Sequence, residues 1–286
     1  MRRKLLISLF FLFVCSAVMG QQAQPQRQPL TFYYGYTVVP GKEEELMNLI
    51  KTVGAPVRDK LMAEGVVLAW GMETPVLREP DGLTHLIWFA VDNWSGVEKV
   101  LNGMEAQLQK LAAEDAKRIE SAHATKQKPA PTTAERTREV FDMSKTRDWL
   151  MRDIISKTPQ PPAGVLPTTR YNFVKVKPGK AAEYRRAWEK YTKPVYEKLV
   201  ADGTLLAYGM AVEEVKTEGD FTHMIWMAGA DMGALDKIGP AFAADRERRS
   251  EEERNAIAEL FANLTEPDKN RSVVTRSRIF RVAPAK

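Results

Sequence analysis

A self-repeat constrains this chain more than any other feature. Pro40 to Ala90, shifted by 138 residues, lies on Pro178 to Ala228 without a gap. Of the 51 positions 19 are identical, where unrelated sequence gives about 3. Pro40-Gly41-Lys42 matches Pro178-Gly179-Lys180, and Ala69-x-Gly71-Met72 matches Ala207-x-Gly209-Met210. Thr84-His85-x-Ile87-Trp88 matches Thr222-His223-x-Ile225-Trp226. Whatever one half folds into, the other must fold into as well.

Each half carries the same succession of local signals. Thr31 to Val39 is β-rich and ends at Pro40-Gly41, a strand followed by a turn. From Glu43 to Glu64, Leu46, Leu49, Ile50, Val53, Val57 and Leu61 fall on one helical face. Tyr184, Ala187, Trp188, Tyr191, Val195 and Leu199 repeat that face. Pro56 and Pro194 predict a kink or break midway, because an interior proline costs about 3 kcal/mol. Gly65 and Gly203 supply the left-handed stop. Val66–Met72 and Leu83–Val91 read as strands joined by a long connection through Pro75, Pro80 and Asp81-Gly82. A second helix covers Ser95 to His123, and a short one Glu135 to Asp142.

A fourth strand is expected over Lys145–Ser156, against the grain of Asp148, Arg152 and Asp153, with its counterpart at Lys269–Arg281. Lys145, Arg147 and Arg152 align on Lys269, Arg271 and Arg276 at a shift of 124. The first half therefore holds 14 extra residues, expected in the Pro-rich loop Lys126–Thr133. In the second half Gly239-Pro240 predicts a broken second helix.

The third strands decide the layering. Leu86 to Ala90 and Met224 to Ala228 are apolar without alternation, so both faces must be covered. The order strand, helix, strand, strand, helix, strand, met twice, predicts an α+β fold: two ferredoxin-like βαββαβ repeats whose antiparallel sheets pack face to face. The expected layout is residues 1–20 as a signal peptide, 21–30 as a flexible lead-in, 31–156 as the first repeat, 157–168 as a Pro-rich linker and 169–286 as the second repeat.

The export signal rests on a cationic Arg2-Arg3-Lys4, an apolar Leu5–Val14 and a small-residue exit at Ser16–Gly20. Its removal takes away the single cysteine, Cys15, and with it disulfides and thiol chemistry. It also lowers the formal charge from +5 to +2, with 39 basic against 37 acidic residues. That leaves no electrostatic case for nucleic acid. The expected location is the periplasm or the extracellular space, without stable membrane insertion.

Strand-Pro-Gly-Lys-x-x-Glu-helix, twice, in this order resembles the dimeric α/β-barrel superfamily in a tandem, single-chain form. That group includes antibiotic-biosynthesis-type monooxygenases, NIPSNAP-like proteins, stress-responsive barrels and chlorite-dismutase-like haem proteins. The resemblance implies a cavity between sheet and helices or within the barrel, and a monomeric pseudo-dimer or a homodimer.

Of three histidines, His85 and His223 are equivalent. As catalytic candidates they would orient or deprotonate a ligand; as core residues they would be satisfied by backbone or by Thr84 and Thr222. Trp88 and Trp226 lie three residues on, hence on the opposite strand face. With Trp70 and Tyr208 they are the ligand-binding candidates, aromatic core packing being their other role. Gly71 and Gly209 beside them mark a bulge or room for a ligand. Neither second helix has a histidine placed as the resemblance to haem-degrading members implies, His123 standing at the far end of the first with no partner in the second, and no His-x-x-x-His or cysteine pair suggests zinc. No cofactor and no metal is expected. The function that fits is binding of a small aromatic or apolar ligand, as a cofactor-free monooxygenase or isomerase-like enzyme. The alternative is a non-enzymatic barrel with a packed interior, and haem binding ranks third.

Overall fold

The computed structural model describes residues 28–77, 82–217 and 221–284; the export signal lies outside them. The first half runs β1 (Leu30–Tyr36), α1 (Glu43–Leu49), α2 (Ala55–Ala63), β2 (Val67–Pro75), β3 (His85–Val91), α3 (Trp94–Ala124), α4 (Thr133–Val140) and β4 (Arg147–Lys157). The second runs β5 (Thr168–Val174), α5 (Ala181–Tyr191), α6 (Lys193–Ala201), β6 (Ala207–Glu213), β7 (His223–Gly229), α7 (Met232–Asp236), α8 (Ile238–Glu247), α9 (Glu251–Leu264) and β8 (Arg271–Val282).

The eight strands close into one antiparallel barrel in the order β1-β3-β2-β8-β5-β7-β6-β4. The sheets expected to pack face to face as a single-chain barrel do form one barrel, joined at both edges into a single hydrogen-bonded ring. The long fourth strands make the difference. β4 pairs with β1 through Arg147–Arg152 and with β6 through Met151–Lys157. β8 pairs with β5 through Arg271–Arg276 and with β2 through Thr275–Val282. Each strand leaves its own half partway along and completes the other, so no edge is exposed. Positions 138 apart keep the same register: Tyr33 pairs with Trp88 and Tyr171 with Trp226.

Burial on both faces of the third strands now has its cause. Ile87 and Phe89 point toward α1–α3, in a core with Leu46, Leu49 and Val100, while Leu86 and Trp88 point into the barrel. A second helix-covered core holds Ile225, Met227, Tyr184 and Trp188. A third, inside the barrel, gathers Tyr33, Met151, Tyr171, Ala211, Phe221 and Met224.

Both prolines sit in the first turn of a new helix, where the missing N–H costs nothing. The irregularity therefore precedes them. A π-helical segment, Ile50–Gly54, joins α1 to α2, and Thr192 separates α5 from α6. Gly65 and Gly203 have φ of 74° and 77°, as the turn required. Two expectations shift in position. The break expected at Gly239-Pro240 falls at Lys237, with Pro240 in the first turn of α8, and a second break precedes α9, which Ser250 and Glu253 open with a capping box. The extra length of the first half lies mainly in α3, a 31-residue helix, where the second half has the shorter α7 and α8.

Candidate active site in the barrel

Alternation along β4 turns Arg147, Trp149, Met151 and Asp153 inward, and along β8 it turns Arg271, Val273, Thr275 and Ser277 inward. The two seams where the halves join each carry one buried carboxylate. At the β2–β8 seam Glu73 faces Ser277; at the β4–β6 seam Asp153 faces Ala211. Each seam also has a register shift, beside Glu73 in one and beside Asp153 in the other. Such bulges re-aim side chains.

Each carboxylate is held by a tryptophan. The Trp88 indole crosses Gly71, its direct partner on β2, and Nε1 donates to Glu73 Oε1 at 2.9 Å. The Trp226 indole crosses Gly209 and donates to Asp153 Oδ1 at 3.1 Å. A Cβ on Gly71 would stand 2.9 Å from the Trp88 ring, and one on Gly209 2.6 Å from the Trp226 ring. The glycines thus make room for tryptophan, not for a ligand. Glu73 Oε2 also accepts from Tyr171 Oη at 3.0 Å and from Thr275 Oγ1.

Burial dominates the electrostatics here. It pushes the Glu73 carboxyl above its ordinary range, against the pull of its three donors. It raises Asp153 to about 7, opposed by the Trp226 bond. The buried Tyr33 and Tyr171 hydroxyls move up, first from burial and then from the adjacent carboxylates.

A cavity of about 480 Å³ opens at the barrel end where the β2–β3 connection meets the starts of β4 and β8. Tyr33, Tyr171, Met151 and Thr275 form its inner wall, Trp149, Phe173, Phe221 and Met224 its sides, and Lys145, Arg147 and Arg271 its rim. Tyr171 and Thr275, whose hydroxyls bind Glu73, are thus cavity-lining residues. A second cavity, about 540 Å³, lies between α1 and the sheet, beside Leu46, Met47, Met72, Glu43, Arg278 and His85.

The residues singled out from sequence are dispersed. His85 borders both cavities and shares a 2.9 Å hydrogen bond through Nδ1 with Thr84 Oγ1. His223 makes the same bond to Thr222 at 3.0 Å, and its ring meets Tyr184 edge-on at 5.2 Å. Tyr184 stands where the first half has Leu46. The two threonines also accept the Val38 and Val176 amides, which fastens the chain beyond β1 and β5. Burial lowers both imidazoles to about 4, so both are neutral at pH 7. Trp70 lies on the helix side, donating to Asp59 at 2.8 Å, beneath the Arg58 guanidinium. Tyr208 stacks on Tyr196 in the second helix-covered core. Trp88 and Trp226 face the barrel interior. Trp70 and Tyr208 do not.

Glu73, Asp153, Tyr33 and Tyr171 escaped the sequence reading. Tyr33 and Tyr171 were visible as a matched pair at the 138 shift. The carboxylates have no such match, because Glu73 is on a second strand and Asp153 on a fourth. Among the described residues, no group of three or more histidine, cysteine or acidic side chains could hold a metal ion.

No family model and no curated protein matches the sequence. Solved structures do match the fold. A candidate monooxygenase from Fusobacterium nucleatum superposes with a TM-score of 0.56 at 11% identity, over 92% of this chain and 98% of that one. One from Lactobacillus acidophilus gives 0.56 at 12%, over 91% and 98%. An anthrone oxidase-like protein gives 0.52 at 13%, over 91% and 94%. At these identities the likeness establishes the α/β-barrel fold.

Proposed function

We propose that this chain is an exported, tandem ferredoxin-like barrel that takes one small aromatic or apolar molecule into the barrel cavity. The cavity carries the reading: its volume falls in the range of small-molecule sites, and its walls are largely apolar, with Tyr33, Trp149, Tyr171, Phe173 and Phe221 among them. A packed, purely structural interior would leave no such space.

Its chemistry is proton transfer, of the isomerase-like kind. Tyr171 lines the cavity, and its Oη donates to Glu73. A proton leaving the ligand for Tyr171 Oη releases the hydroxyl's own proton to Glu73. Its return to another ligand atom completes an isomerisation with no co-reactant. A carboxyl raised by burial is suited to both steps near neutral pH. The monooxygenase names of the fold neighbours extend the reading to an enzyme in which the same proton removal precedes reaction with dioxygen. Trp88 and Trp226 hold the two carboxylates in place, His223 serves the fold, and His85, neutral and bound to Thr84, stands at the edge of the cavity.

The test is calorimetric titration of the mature protein with 2-naphthol. One site per chain is expected, lost in Val273→Trp, which fills the cavity from a half-buried wall position. Undiminished binding by that variant would move the site elsewhere. Export is tested separately: the protein recovered from an exporting host should begin at Gln21.

A further inference from the structure

We infer that the ligand carries a carboxylate, and that Arg147 and Arg271 clamp it at the barrel mouth. The inference rests on the reading of the barrel cavity as a ligand site and specifies what enters it. Three basic positions align between the fourth strands, Lys145, Arg147 and Arg152 with Lys269, Arg271 and Arg276. Arg152 has gone to the outer face, where it makes a two-pronged pair with Glu214, its Nε 2.7 Å from Oε2. Arg276 contacts Met232. Arg147 and Arg271 take the inward parity, and both line the cavity.

β4 and β8 are four places apart in a ring of eight strands, so the two guanidinium groups approach the mouth from opposite sides. The Arg271 guanidinium lies 4.8 Å over the Phe173 ring, a cavity wall. That contact pins the planar fork beside the space a ligand's apolar body would fill. Lys145 stands on the same rim, and among the described residues no carboxylate lines the cavity. Glu73 is behind Tyr171 and Thr275. A cationic mouth with apolar walls focuses its field inward and favours an anion. Arginine's fork matches the two oxygens of a carboxylate. An aromatic acid satisfies mouth and walls together; a neutral aromatic satisfies the walls alone.

Calorimetric titration with 2-naphthoate and with neutral 2-naphthol at pH 7 tests this. The two probes share a ring system and differ in charge. Wild-type protein should prefer 2-naphthoate by about tenfold or more, the scale of one charge-assisted bond, and the preference should shrink as salt is added. Arg147→Gln with Arg271→Gln should abolish the preference while 2-naphthol binding stays. Both positions are exposed, so the double variant should fold, and retained 2-naphthol binding reports that it has. Equal binding of the two probes by wild-type protein, or a preference that survives in the double variant, overturns the clamp and leaves the cavity reading standing. Binding of neither probe overturns both.

Discussion

Replacing Asp153 by Asn should stabilise the protein at pH 8 and leave it unchanged at pH 4. Asp153 is 8% exposed and receives the Trp226 indole. Burial moves its carboxyl from an ordinary 3.8 to about 7. At about 1.4 kcal/mol per pH unit, that displacement amounts to about 4 kcal/mol. The folded state prefers the protonated acid. The corresponding stability is therefore full below 3.8, falls between 3.8 and 7, and is gone above 7. Asn carries no charge to desolvate, and its oxygen still accepts from Trp226. The value of about 7 already includes the pull of the Trp226 bond, so the gain at pH 8 is the whole displacement, about 4 kcal/mol. Urea unfolding of both proteins from pH 4 to 8 measures it, and titrations common to both cancel in the difference. A difference that is flat across this range, or a variant less stable at pH 8, would refute the reasoning: Asp153 would then ionise as it does in water.

Other consequences follow from the same contacts. Gly71→Ala and Gly209→Ala each push a methyl into an indole ring and should destabilise by about 1–3 kcal/mol, measured by urea unfolding, with a change in near-ultraviolet circular dichroism from the displaced tryptophan. Arg58 is 3% exposed, and its Nε and Nη1 lack a partner among the described residues. Arg58→Met should therefore be neutral or stabilising by about 1–3 kcal/mol in the same assay; a loss above about 2 kcal/mol would mean the guanidinium is paired. The imidazole resonances of His85 and His223 should titrate near 4 rather than 6.5. Their neutral forms favour the fold, so this contribution is present above 6.5 and lost as pH falls toward 4.

What could be read from the sequence was what repeats or alternates. The 138 shift predicted equivalent strands and helices, and the doubly apolar third strands predicted cover on both sides. The opposite faces of His85 and Trp88 followed from period-two geometry. The barrel's polar interior did not follow, for identifiable reasons. Glu73 lies one residue past the expected end of β2, where an acidic residue looks like a strand terminus. Asp153 counted against β4, although it is inward and bonded. Both matter only because β4 and β8 cross from one half to the other, a long-range pairing that local pattern does not encode. Gly71 and Gly209 were noticed, but nothing nearby in sequence says that tryptophans fifteen and more residues away will lie across them. The helix irregularities were located within a few residues of the prolines. The bounds of α3, expected at Ser95 and His123 and found at Trp94 and Ala124, were legible; its surplus length was placed in the Pro-rich loop because the shorter α7 and α8 were not delimited in the second half.

A crystal structure of the mature protein soaked with 2-naphthoate tests the central claim most directly. The account predicts ring density inside the barrel between Tyr33 and Phe173, with the carboxylate against Arg147 or Arg271. Density only in the cavity beside Met47 and Arg278, or an empty barrel at saturating probe, would contradict it.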